Sequence, residues 1–177
     1  MIPIVSTSEI MASSSRTLIL WRHAKSAWDN PELTDFERPL APRGRNAAPQ
    51  MADWICSRYQ PALVICSPAR RTAETASYLK KSEFTALYYD ERIYEASAET
   101  LLTIVRAVED KWQSVMLVGH NPGMEDLTEM LTAFRPQKFP TAACAVLQVE
   151  SEWQGLAPET VELVAYQYPK ALPTPGA

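Results

Sequence analysis

The chain has 177 residues, enough for one hydrophobic core and too few for two comfortable ones. With 46% hydrophobic and 21% charged residues it reads as an ordinary soluble globular chain, and no stretch approaches the length of a membrane span. A net charge of −4 with no long basic run argues against nucleic acid as a ligand, so any positive site must be local. Cys56, Cys66 and Cys144 form no Cys-x-x-Cys pair and no ligand cluster with the two histidines, which argues against a zinc site. They are expected as buried thiols of a reducing compartment, a free reactive thiol being the lesser alternative.

Residues 1–16 are expected to form a loose arm ahead of a domain spanning 17–168, with Met11 as an alternative start to Met1. They lack the basic start and sustained apolar segment of a secretory signal, so the cytoplasm is the default location. Leu18-Ile19-Leu20-Trp21 predicts a short buried strand that ends abruptly in Arg22-His23-Ala24-Lys25-Ser26. Ligands of α/β folds sit beyond the carboxyl ends of parallel strands, where this arginine and histidine fall. A cation beside a nucleophilic imidazole suits an anionic electrophile such as a phosphoryl group. A capped strand end with a surface arginine and a stray histidine is the alternative on this stretch alone.

Ala27 to Arg43 is polar and punctuated by Pro31, Pro39 and Pro42, a loop long enough to be either functional or mobile. Its Arg38 is placed to reach back to the first strand end or simply to face solvent. Ala47, Ala48, Met51, Ile55 and Tyr59 follow helical spacing, predicting a core-facing helix broken at Pro61. Ala62 to Cys66 predicts a second buried strand. Ser67 followed by Pro68 predicts a cap and first helical residue, which would put Arg70 and Arg71 in the first turn of a helix. Cations are disfavoured at that positive helix end unless an anion binds there.

Ala86 to Tyr89 is a weak strand signal, and Ser97 caps an amphipathic helix with Leu101, Leu102, Ile104, Val105 and Val108 on its apolar face. Between them Asp90, Glu91 and Glu95 are general-acid candidates or merely solvated carboxylates. Ser114 to Val118 repeats the strand theme and runs into Gly119-His120-Asn121-Pro122. There Asn121 as cap and Pro122 as first residue predict a helix with Leu127, Met130, Leu131 and Phe134 facing the core. Both histidines of the chain thus stand at strand-to-loop junctions. Ala143 to Val149 and Thr160 to Tyr166 predict antiparallel closure, with Thr141 just ahead as a turn residue or ligand contact, and residues 169–177 predict an irregular tail.

Arg22-His23 after a strand, Ser67-Pro68-x-x-Arg71 opening a helix, and Gly119-His120-Asn121-Pro122 after another strand together resemble the histidine phosphatase superfamily, also called phosphoglycerate-mutase-like. The Arg-His-Ala-Lys-Ser form, Arg38-Pro39-Leu40 and the compact size resemble its SixA-type phosphohistidine phosphatase branch. The resemblance runs from about Thr17 to Tyr166. It implies a single-domain three-layer α/β/α fold with a mostly parallel central sheet. By it, His23 is the nucleophile that is transiently phosphorylated, Arg22 and Arg71 clamp the phosphoryl oxygens, His120 completes the pocket, and Arg38 is an auxiliary phosphate contact. Two nearby guanidiniums would hold His23 neutral and nucleophilic. No metal or cofactor is then required.

No motif fixes the glutamate that relatives acting on phosphate monoesters use to protonate the leaving oxygen; Glu95 and Glu91 are the weak candidates. Glu74 stands where relatives commonly carry glutamine. Little room remains between Thr72 and Gly119 for a capping lid, so an open site would admit a protein. The expected function is hydrolysis of phosphohistidine on a phosphorylated protein such as a histidine phosphotransfer domain, with neither nucleic acid nor membrane as partner. A phosphomonoesterase for small phosphate esters and a non-catalytic phosphate-binding scaffold are the alternatives.

Overall fold

A computed structural model describes residues 15–174. The expected loose arm, the choice between Met1 and Met11, and the last three residues of the tail lie outside the described residues. Arg16, expected at the end of that arm, instead opens β1 (Arg16–Arg22) and pairs with Asp110 at 3.3 Å.

β1 shows how a continuous apolar run becomes a two-faced core strand. Leu18 and Leu20 enter one hydrophobic cluster while Ile19 and Trp21 enter the other, all four with no exposed surface. β2 (Leu63–Cys66) and β4 (Ser114–Gly119) split the same way: Leu63, Ile65, Val115 and Leu117 face one side, and Val64, Cys66, Met116 and Val118 the other. With β3 (Ala86–Tyr89), β5 (Cys144–Val149) and β6 (Val161–Gln167) they form a six-stranded sheet of order β3-β2-β4-β1-β5-β6. The first four strands of that order are parallel and the last two antiparallel, as the closing hairpin predicts.

Helices cover both faces. α1 (Pro42–Tyr59) lays Ala48, Met51, Ala52 and Ile55 on the Trp21 side, where the end of α2 (Arg70–Ala76) joins it through Ala76. α3 (Ala98–Arg106) and α4 (Gly123–Thr132) bury Leu101, Ile104, Val105, Met124, Leu127 and Leu131 on the Leu20 side. Three free cysteines are buried in this core, and burial pushes the Cys66 and Cys144 thiols up and Cys56 to about 12, so none is a ready nucleophile. No helix of the described residues is long and apolar enough to cross a membrane.

Several local expectations are corrected. α1 starts at Pro42, inside the expected loop, because proline suits the first helical position. α2 starts at Arg70 with Ala69 as its cap, two residues later than expected, and the Ser67 hydroxyl contacts His120 at 2.7 Å while accepting from the Ala69 N–H at 3.4 Å. α4 starts at Gly123, after a cis Asn121–Pro122 peptide; Asn121 still serves as an offset cap, its Oδ1 accepting from the Glu125 N–H at 3.3 Å. Met130 is on the outer face of α4 at 36% exposure, and Phe134 lies beyond the helix end, its ring tilted against that of Tyr166. The long loop is not slack: Ser26 and Leu40 bridge its two ends, and Asp35–Glu37 form a 3-10 turn at its tip.

Candidate active site

Parallel pairing brings distant residues to one edge of the sheet. Arg22 is level with Gly119 and Cys66 with Val118, so Arg22-His23, Ser67 and His120 all leave the sheet together. The His23 N–H donates to the Gly119 carbonyl at 3.0 Å, and the Ser67 N–H to the Val118 carbonyl at 3.0 Å. A cavity of about 370 Å³ opens there, lined by Arg22, His23, Arg38, Arg71 and His120, with Lys25, Ser26, Trp28, Asp35, Glu95, Asn121 and Thr141 around them. All five side chains singled out in the sequence therefore line one cavity.

The two imidazole rings lie 5.3 Å apart between centroids. His23 Nδ1 is 2.7 Å from the carbonyl oxygen of Ala24, an atom that only accepts, so Nδ1 carries the hydrogen. In the neutral ring Nε2 is then left with its lone pair. Burial first of all, then competition with His120 for a proton and the charges of Arg71 and Arg22, push His23 down to about 3 against the opposing pull of the Ala24 carbonyl, so the ring is neutral near pH 7. Burial and Arg71 push His120 down to about 3 as well. Its Nε2 lies 2.7 Å from the Ser67 hydroxyl, whose oxygen also accepts from the Ala69 N–H at 3.4 Å. With the hydroxyl hydrogen given to Nε2, the hydrogen of His120 sits on Nδ1.

Five buried side-chain nitrogens and oxygens among the described residues have no hydrogen-bond partner, and three of them are Arg22 Nε, Arg71 Nε and His120 Nδ1. An unmade hydrogen bond of this kind costs about 1–3 kcal/mol. All three belong to residues that line the one cavity, and the guanidiniums of Arg22 and Arg71 suit an oxyanion there. Arg22 is steadied by donating to the Phe139 carbonyl at 2.7 Å.

Two participants escaped the sequence reading. Asp35 receives Arg71 twice, NH1 on its carbonyl at 2.6 Å and NH2 on Oδ2 at 3.0 Å. The Tyr94 hydroxyl donates to the same Oδ2 at 2.5 Å, while Arg38 places Nε and NH2 on Oδ1 at 3.1 and 2.9 Å. Partial burial pushes the Asp35 carboxyl up, but the bonds from Tyr94, Arg38 and Arg71 outweigh it and hold it well below the usual carboxylate range. Arg38 is otherwise spent on the Ser26 hydroxyl at 2.7 Å and on stacking over Trp28, 3.5 Å from the ring centroid. It holds the wall of the cavity. The signal for Asp35 was faint: a carboxylate three residues before an arginine, in a loop.

The remaining candidates separate clearly. Glu95 lines the cavity and is held in left-handed backbone at φ 52°, a conformation that costs energy for a residue with a side chain. Glu91 lies outside the lining, and Asp90 caps its own turn against Arg92. Arg70 points to solvent and pairs with Glu74, whose other oxygen accepts from the Leu40 N–H at 2.8 Å and so ties the loop to α2. Thr141 lines the cavity rim. No group of three or more His, Cys, Asp or Glu side chains among the described residues is placed to hold a metal ion.

A parallel-sheet edge carrying two neutral imidazoles and two arginines defines a phosphoryl-handling α/β protein. The profile of the histidine phosphatase superfamily (branch 1) matches residues 18–131, and the chain belongs to that family of histidine-nucleophile phosphatases. It is 32% identical over 163 residues to an uncharacterised protein of Mycobacterium leprae, covering 84% of this chain and 99% of that one. Among solved structures it is similar to a chain from Nakamurella multipartitia that carries the phosphohistidine phosphatase name SixA, with TM-score 0.79, 27% identity, and coverage of 89% and 98%. A likewise SixA-named chain from Agrobacterium tumefaciens gives TM-score 0.73 and 33% identity, covering 87% and 98%. The SixA-type resemblance read from the motifs and the phosphoglycerate-mutase-like fold both hold.

Proposed function

We propose that this chain hydrolyses phosphohistidine carried on a protein, through a covalent intermediate on His23. The observation that carries the reading is the fixed tautomer of a buried, neutral His23 in a cavity also lined by Arg22, Arg71 and His120, each of which carries a buried nitrogen without a hydrogen-bond partner. The SixA names of the two similar structures support the substrate class.

The proton count supports it further. A phosphohistidine with its other ring nitrogen protonated is a phosphoimidazolium. As the Nε2 lone pair of His23 bonds to phosphorus, the substrate P–N bond breaks and its electron pair stays on the leaving ring, which departs as neutral imidazole. His23, already protonated on Nδ1, becomes the phosphoimidazolium in turn. No proton moves, so no general acid is needed. Water then adds to phosphorus, the P–N electron pair returns to Nε2, and both water protons leave on dihydrogen phosphate. Arg22, Arg71 and the His120 Nδ1 hydrogen stabilise the charge spread over the equatorial oxygens, which preorganised donors in a low-dielectric site do best. Arg38 acts through Asp35 and Trp28 on the cavity wall.

A phosphate ester leaves as an alkoxide and wants a proton, and Asp35 is held ionised. Glu95, held on the rim in a strained conformation, is the observation that favours the second reading, a phosphomonoesterase. Turnover of a histidine-phosphorylated carrier domain, a phosphoserine peptide and p-nitrophenyl phosphate, with His23→Ala alongside, tests the choice. Preference for the carrier supports phosphohistidine, preference for the esters supports the second reading, and turnover untouched by His23→Ala discards the nucleophile. The cytoplasm is the compartment this reading fits, its three thiols being free.

A further inference from the structure

The catalytic cavity continues past its rim. Lys25 and Thr141 line it and also line a neighbouring hollow of about 660 Å³, walled further by Arg43, Lys138, Lys170 and Tyr166. Four cations face this hollow and its lining contains no carboxylate. Each of the four is exposed, and none forms an ion pair among the described residues. In a chain of net charge −4, unpaired like charges around one concavity form a local attractor for anions. The lip is held in shape by the Tyr166 hydroxyl, which donates to the Lys138 carbonyl.

Two large aromatics are exposed at and beside the catalytic cavity. Trp28 is 72% exposed although it lines the catalytic cavity, with Arg38 stacked on its inner face. Phe36 is 40% exposed, its edge against Tyr94. Tryptophan and arginine are the residue types that most often anchor protein partners, and large exposed aromatics beside a site mark contact surfaces. A small phosphorylated molecule filling the catalytic cavity meets neither Phe36 nor Lys138 nor Lys170, which are not part of its lining. A folded protein presenting a phosphorylated side chain is large enough to reach these aromatics and the basic hollow together.

We propose that this rim is the docking surface for the protein substrate: Trp28 and Phe36 anchor it, and the hollow formed by Lys25, Arg43, Lys138 and Lys170 takes acidic side chains that flank the phosphorylated residue. The proposal rests on the reading of the chain as a phosphatase of protein phosphohistidine. It adds a selection rule, that carriers with carboxylates beside the phosphohistidine are preferred over carriers without them.

The test compares kcat/KM for two probes, a histidine-phosphorylated phosphotransfer domain with flanking glutamates and the small molecule phosphoramidate. The decisive variant is Lys138→Glu with Lys170→Glu, since neither residue lines the catalytic cavity. Reversing two rim charges is expected to lower the carrier-to-phosphoramidate ratio by about tenfold or more, through KM and with a weaker dependence on salt. Changing the carrier's flanking glutamates to glutamine, which leaves the phosphatase untouched, should reproduce that loss with the unsubstituted enzyme and remove the variant's further loss. A ratio that stays within about twofold in both arms overturns the docking surface alone. Hydrolysis of phosphoramidate without any turnover of histidine-phosphorylated protein overturns the substrate reading, and this surface with it.

Discussion

Asp35 holds Arg71 from two sides, by its backbone carbonyl at 2.6 Å and its carboxylate at 3.0 Å, and uses the other carboxylate oxygen for Arg38. Its two carboxylate oxygens together receive Arg71, Tyr94 and a forked Arg38, which leaves no lone pair for a substrate. Asp35 is therefore a positioning residue. Asp35→Ala is expected to lower kcat/KM by about ten- to a hundredfold, the scale of a misplaced clamp. The thermal midpoint should fall as well, because Arg71 and Arg38 are buried and lose their charged partner, so the kinetics are read well below the midpoint of the variant. Unchanged kinetics in Asp35→Ala would remove it from the site.

The buried histidines make stability depend on pH in a defined direction. Both are pushed from 6.5 to about 3, so below 6.5 the unfolded chain binds protons that the folded chain refuses. Stability therefore falls as pH drops from 6.5 towards 3, with a slope approaching roughly 1.4 kcal/mol per pH unit for each histidine. Asp35, held below its ordinary 3.8, adds a loss of the same sign at the acid end. Denaturant titrations across this range should show the slope, and His23→Gln with His120→Gln should flatten it. An equal slope in the double variant would mean that the imidazoles are not held neutral.

Ser67 orients His120 through a 2.7 Å contact with its Nε2. Ser67→Ala frees that nitrogen, and a loss of about tenfold in kcat is expected, smaller than for removing the ring itself, which should cost about a hundredfold or more. Steady-state kinetics of Ser67→Ala beside His120→Ala check the ranking. Equal losses would mean that Ser67 does more than orient the ring.

Gly44 packs α1 against the chain segment that leaves His23. A Cβ there would meet the backbone carbonyl oxygen of Lys25 at 2.2 Å. Gly44→Ala must push that segment outward, and about 1–3 kcal/mol of stability should be lost, as in other overpacked positions. Urea unfolding gives the value, and an unchanged midpoint would show that the loop yields freely.

The sheet and its site edge were legible because strand-end chemistry is local: an apolar run followed at once by Arg22-His23 or Gly119-His120 needs no knowledge of the rest of the chain. The supporting contacts were not. Asp35 meets Arg71 across 36 positions, Tyr94 meets Asp35 across 59, and Ser67 meets His120 across 53, so no spacing announces them. Ser67 was misread for a physical reason. A serine before a proline has the local features of a helix cap, but the helix begins two residues later than that pattern implies, and nothing local announces the contact of the hydroxyl with His120. Arg38 was legible as a residue of the site, but its attachment to Asp35, Ser26 and Trp28 required the loop to close on itself at Ser26 and Leu40.

The central claim is that phosphate passes through Nε2 of His23. The most direct measurement is to quench the enzyme during turnover of a histidine-phosphorylated carrier and locate the transferred phosphate by peptide mass spectrometry. An acid-labile phosphate on His23, absent in His23→Ala and accumulating when hydrolysis is slowed, is the predicted result. Phosphate on another residue, or turnover by His23→Ala at the unsubstituted rate, would contradict the account.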